Sequence, residues 1–261
     1  MKRRPAVGIM TAMPQAAETS RPASESYYHQ TRRPLNNLVM LAPLLAAFHI
    51  GAGVYGTDQV LLAPQYVRDI LQYLGAPLLL FIPAAAVALM LLGQQVLQRE
   101  KWTVQPSAVA GMAGESVLWT LPLIGIGYIT GKIDRAAVLP GRLDEVVKSI
   151  LVAIGAGVYE EFIFRMVLIT VLLLVLVDVC TFKKDRMTVL AVVTAAALFA
   201  LCHFRALGGG EYFNWSRFIF LSTAGVLWGG LFIYRGFGIA AGAHVMWDVF
   251  VLLAAPRHPA V

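Results

Sequence analysis

The sequence predicts an all-α, polytopic integral membrane protein of about seven transmembrane helices, with its chemistry in the last four. Three observations carry that expectation. Hydrophobic residues make up 58% of the 261 positions and charged residues only 14%, against about 25% charged in soluble domains. Apolar runs long enough to cross a bilayer recur along the chain. Basic residues gather in the N-terminal tail and in short connections, the distribution that orients membrane proteins. The net charge of +6 therefore reads as topology, and no nucleic-acid partner is expected. Cys180 and Cys202 have neither CxxC nor zinc-finger spacing, which supports no disulfide framework and no thiolate metal site.

Taken in order, residues 1–37 are rich in Pro, Ser and Arg without apolar periodicity, and read as a disordered cytoplasmic tail. No apolar h-region follows Lys2, Arg3 and Arg4, so the start does not read as a secretory signal peptide. Residues 38–255 read as one helical membrane domain. The first span is expected over Leu38–Tyr55, where His49 near a Gly-rich helix end reads as structural. Residues 57–73 are too mixed to span and suggest an interfacial helix or loop. A second span, Leu74–Leu97, contains Pro77 and Pro83, which membrane helices tolerate. A third, Ser107–Ile129, contains Glu115, which needs snorkelling or a polar neighbour. After a polar loop at 130–145, an apolar run extends from Val146 to Val179. That exceeds the ~20 residues of one straight crossing, so it must tilt, bend near Gly155 and Gly157, or leave the membrane. Three further spans follow: Thr188–Phe204, Phe218–Tyr234 and Phe237–Leu253. This count puts the tail, Arg99/Lys101, Lys183/Lys184/Arg186 and Arg235 on one side. The N-terminus is then cytoplasmic, and the setting a bacterial-type inner or plasma membrane.

The long run carries Glu160, Glu161 and Arg165. A charge at the centre of a spanning helix costs several kcal/mol by cautious scales, about 2.5–3.5, so three together need partners. Glu161 and Arg165, at i and i+4, share a helix face and can pair. Glu160 points about 100° away and must find its partner on another helix. Two later spans offer one: His203 follows Phe199 by four residues, and His244 precedes Asp248 by four. Buried ionisable groups need one another, so these faces are expected to converge. A glutamate shielded from bulk water suits general-base catalysis on a water, with histidine sharing the proton or stabilising an oxyanion. Two His with carboxylates also suit one divalent, zinc-like ion. Proton or ion transport and a purely structural cluster fit the same residues, and composition and spacing leave all of these open.

The motifs narrow the choice. Glu160-Glu-Phe-Ile-Phe-Arg165 resembles EExxxR, Phe199-Ala-Leu-Cys-His203 resembles FxxxH, and His244-Val-Met-Trp-Asp248 resembles HxxxN/D. In this order on late membrane helices they resemble the CPBP family, which comprises type II CAAX-prenyl endopeptidases and bacteriocin-processing or immunity (ABI) proteins. The resemblance covers about residues 145–255. It implies an intramembrane endopeptidase, metallo- or glutamate-type, acting on a membrane-embedded or membrane-anchored protein or peptide. It also implies roles: Glu160 as catalytic base, Glu161 paired with Arg165, and His203 activating the water. His244 and Asp248 would bind the oxyanion or a metal, and the implied metal set is Glu160, His203, His244 and Asp248. Many relatives have Asn where this chain has Asp248, and an ionised Asp cannot donate to an oxyanion. Other protease classes fit poorly, because there is no HExxH and no Gly-x-Ser with a plausible serine nucleophile deep in a span.

Overall fold

The structure, a computed structural model, describes residues 26–55, 76–129, 143–207 and 209–254. The order of helices is α1 (Tyr27–Arg32), α2 (Pro34–Tyr55), α3 (Ala76–Leu97), α4 (Pro106–Leu118), α5 (Leu121–Ile129) and α6 (Leu143–Glu161). α6 runs on through a π segment (Phe162–Ile169), α7 (Thr170–Leu173) and a second π segment (Leu174–Val179). α8 (Lys184–Cys202), α9 (Trp215–Arg235) and α10 (Phe237–Ala254) follow. No strand forms among the described residues, only an isolated bridge between Phe204 and Glu211. Helices suit this composition because a bilayer offers backbone groups no other partners.

Six helical stretches among the described residues are long and apolar enough to cross a membrane. They are Pro34–Tyr55, Pro106–Tyr128, Leu143–Val179, Lys184–Cys202, Trp215–Arg235 and Phe237–Ala254. The expected seventh, Leu74–Leu97, falls on α3, a helix of 22 residues from Ala76 to Leu97. The interfacial stretch at 57–73 and most of the loop at 130–145 lie outside the described residues.

The long Val146–Val179 run is one continuous helical path, and Gly155 and Gly157 do not break it. They serve close approach instead. A Cβ on Gly155 would meet the Phe48 ring at 2.2 Å, and one on Gly157 would meet Val245 Cγ2 at 2.6 Å and its backbone nitrogen at 2.7 Å. α6 therefore packs backbone-to-backbone on α10, as small residues permit in membranes. Leu41, Phe48, Val158 and Val245 fill the core between α2, α6 and α10. Of the three alternatives of tilt, bend or exit, a break at the glycines does not occur; the irregularities are the two π segments, which widen the helix locally after Glu161 and again from Leu174.

Of the expected disordered tail 1–37, residues 27–32 and 34–37 are helical, and residues 1–25 lie outside the described residues. Their polar side chains bind backbone. Asn36 Nδ2 donates to Gln30 O at 2.9 Å, and Asn37 Nδ2 donates to Thr31 O at 3.0 Å and Arg33 O at 2.7 Å. Asn37 Oδ1 accepts from Gly238 N at the start of α10. Gly236, at φ +98, makes the α9–α10 turn against Thr31 O, and any Cβ there would be strained. A polar composition that reads as disorder is thus consumed in docking α1 beneath that turn. Glu115 is satisfied by a partner: Arg235 donates to both carboxylate oxygens at 2.6 Å, joined by Tyr27 Oη at 2.9 Å and Trp119 Nε1 at 3.1 Å. His49 Nε2 lies 2.7 Å from Tyr159 Oη, linking α2 to α6.

Reporter fusions at Lys183–Arg186 and at Gly209–Gly210, the two ends of α8, should report opposite sides of the membrane. Gly157→Leu should force α6 off α10 and lower both folded yield and unfolding temperature, by roughly 1–3 kcal/mol of overpacking strain. Gly93→Ala, which meets nothing within 4 Å, should leave both unchanged.

Candidate active site

Four helices bring the site together. α6 ends on Glu160 and Glu161, and the first turn of the following π segment carries Arg165. Glu161 and Arg165 are both 0% exposed. Arg165 Nη1 lies 2.9 Å from Glu161 Oε1, so the i,i+4 pair forms. Its other amino group donates to Gly225 O on α9 at 3.3 Å, and its guanidinium lies over the Phe199 ring at 4.6 Å. A buried cation thus meets a carboxylate, a carbonyl and a π face, each of which replaces lost hydration.

The same Glu161 oxygen accepts from His244 Nδ1 at 2.8 Å. A carboxylate on Nδ1 fixes the tautomer and turns Nε2 away from it. Nε2 then lies 3.5 Å from Asp248 Oδ2, one helical turn on, and 3.8 Å from Glu160 Oε2. Glu160 and Asp248 are partly open, with side chains 33% and 27% exposed. Glu161 is therefore enclosed and committed, while its neighbour Glu160 reaches toward solvent-accessible space.

His203 sits one residue past the end of α8 rather than inside the expected span to Phe204. The chain turns there because the following loop folds back. Glu211 N donates to His203 O at 3.2 Å and Gly209 N to Phe204 O at 3.1 Å. Gly209 is required for this approach, since a Cβ would meet the His203 carbonyl carbon at 2.1 Å. His203 Nδ1 is 2.9 Å from Phe199 O. A carbonyl only accepts, so Nδ1 carries the proton and Nε2 is left for other partners.

His203, His244 and Asp248 line one cavity of about 410 Å³, together with Lys148, Arg217 and Trp228. Phe199 lies between the imidazoles, its ring 4.8 Å from His203 and 5.8 Å from His244. Among the described residues no three His, Cys, Asp or Glu side chains are arranged to hold a metal ion. Both Nδ1 atoms are already committed, to Glu161 and to the Phe199 carbonyl, so only the Nε2 atoms remain as imidazole donors. Sequence reasoning missed Trp228, whose ring stacks on His244. No charge or motif spacing marks it in an apolar helix.

Fold and site define a polytopic helical membrane protein with a buried carboxylate–imidazole centre. Residues 142–250 match the family model described as Type II CAAX prenyl endopeptidase Rce1-like. That segment is similar to this family, in agreement with the CPBP resemblance of its three motifs, and the similarity supports an intramembrane CAAX-type endopeptidase in general. The match runs from the residue before α6 into α10 and contains all seven motif residues. No curated protein and no solved structure matches the chain.

Stranding either member of the buried ion pair should cost about 3–5 kcal/mol. Glu161→Gln or Arg165→Leu alone should lower the detergent-solubilised folded yield and the unfolding temperature. The Glu161→Gln/Arg165→Leu double variant should recover part of that loss, because no lone charge remains between the two positions.

Proposed function

We propose that the protein is an endopeptidase that hydrolyses a peptide bond of a membrane-associated protein or peptide with a water activated at Glu160. The observation that carries this reading is the division of labour between adjacent glutamates. Glu161 is enclosed, held by Arg165 and His244. Glu160 is partly open and 3.8 Å from His244 Nε2, which also faces Asp248.

In this mechanism Glu160 takes a proton from the water as its oxygen attacks the scissile carbonyl carbon. The same proton is then delivered to the departing amide nitrogen as the C–N bond breaks. His244, oriented through Nδ1 by Glu161, presents Nε2 to Glu160 and Asp248 and relays or shares the proton. Asp248 acts as an acceptor toward His244, so the oxyanion needs a donor elsewhere. His203 fills that role in its imidazolium form, when Nε2 carries a proton while Nδ1 stays on the Phe199 carbonyl. The cavity walls, largely apolar, accept the membrane-associated chain and limit bulk water.

The test uses the purified full-length chain in detergent and a prenylated peptide ending in a CAAX box, with products read by mass spectrometry. Glu160→Gln should keep near-normal yield and lose activity by about 10²–10⁴-fold, the range for a general base. His203→Ala and His244→Ala should each lose nearly as much, and the triple variant should be little worse than any single. Multiplicative partial losses, or proton-coupled uptake by proteoliposomes without cleavage, would overturn the reading. A chelator should leave turnover intact. Loss of turnover restored by zinc alone would replace the glutamate-type mechanism with a metal-dependent one.

A further inference from the structure

Of the four helices around the site, α9 contributes none of the family motifs, yet it closes the site. Gly225 O receives Arg165. One turn further on, Trp228 lies almost parallel to the His244 ring, with centroids 3.8 Å apart and planes inclined by 13°. Trp228 is 1% exposed. Phe199 meets both rings edge-on, at 5.9 Å from Trp228 and 5.8 Å from His244. The Arg165 guanidinium lies 5.7 Å from the Trp228 ring.

We propose that Trp228 is a positioning residue for His244. Its indole face fixes the plane of the imidazole, so that Nδ1 stays on Glu161 while Nε2 stays on the side of Glu160 and Asp248. Two independent constraints are needed for this. The hydrogen bond to Glu161 fixes one atom of the ring but leaves rotation about the axis through that bond. A flat surface against the ring face removes that remaining freedom. At 3.8 Å the indole covers one whole face of the imidazole, and a desolvated indole face also favours a cationic partner. Trp228 Nε1 makes no hydrogen bond among the described residues, so the residue is held there by its face rather than by its donor. Replacing it with phenylalanine therefore removes no hydrogen bond and keeps a smaller π surface. Leucine keeps apolar bulk and removes the π surface.

This inference rests on the proposed peptidase reading for its kinetic consequence but not for its structural one, and the experiment reads both. The full-length chain is prepared in detergent with isotope-labelled histidine, and the His244 resonance is assigned by its loss in His244→Asn. Stacking on an indole should shift the His244 ring protons upfield by ring current. The shift should be reduced in Trp228→Phe and absent in Trp228→Leu, with Trp228→Met used if the leucine variant does not fold. With the prenylated CAAX peptide, Trp228→Leu should lose kcat by about tenfold and Trp228→Phe should stay within about threefold of the parent. Their unfolding temperatures supply the control for packing. An unshifted His244 resonance in the parent protein overturns the stack. Equal kcat for Trp228→Leu and Trp228→Phe, at matched unfolding temperatures, overturns the positioning role. A parent chain that shows the ring-current shift but cleaves nothing leaves the stack standing and sinks the peptidase reading instead.

Discussion

A single carboxylate oxygen, Oε1 of Glu161, receives both Arg165 and His244. Burying an unpaired carboxylate in a bilayer costs several kcal/mol, and a paired one is tolerated when its partners replace part of the lost hydration. That requirement reaches beyond the pair. Arg165 must be completed by the Gly225 carbonyl and the Phe199 face, which ties α6 to α8 and α9. His244 must come from α10. One buried charge therefore dictates how four helices sit, and the chemistry at Glu160 inherits its geometry from that arrangement.

Such an arrangement needs helices at close quarters, where lipid supplies no hydrophobic drive to press them together. The chain uses small residues at the crossings. Gly157 admits the Val245 backbone, and Gly225 admits Ala196 Cα, which a Cβ would meet at 2.9 Å. Gly242 likewise faces Ser116 on α4. Each contact brings α10 or α9 near enough for short polar reaches, such as 2.8 Å from His244 to Glu161. Packing and polar chemistry are thus one constraint, since a wider crossing would leave the carboxylate without its partners.

At the C-terminal end of α9 a second polar set holds the bundle. Arg235 clasps Glu115 with two short bonds, and its guanidinium lies 5.2 and 5.3 Å from the rings of Tyr27 and Tyr28. Asn37 seals the start of α10 through Gly238 N. α9 is therefore anchored at its middle, where Gly225 receives Arg165, and at its C-terminal end, where Arg235 holds Glu115. The segment just before the first span belongs to that scaffold.

The sequence by itself determined the membrane class, the helical fold and the two i,i+4 pairs, Glu161/Arg165 and His244/Asp248. These are local consequences of hydropathy and of a 3.6-residue period, which tertiary context does not override in a bilayer. The order of the three motifs also pointed to the family. Which carboxylate would take His244 was not legible, because the choice between Glu160 and Glu161 depends on how α6 is rotated against α10. The same holds for the Arg235–Glu115 clasp, 120 residues apart in sequence. It holds too for the Phe199 carbonyl on His203, the fold-back at Gly209, and Trp228 on His244. A polar tail that binds backbone looks like one that binds water until its partners are seen. Distances across a bundle are set by packing, and only the tertiary structure decides them.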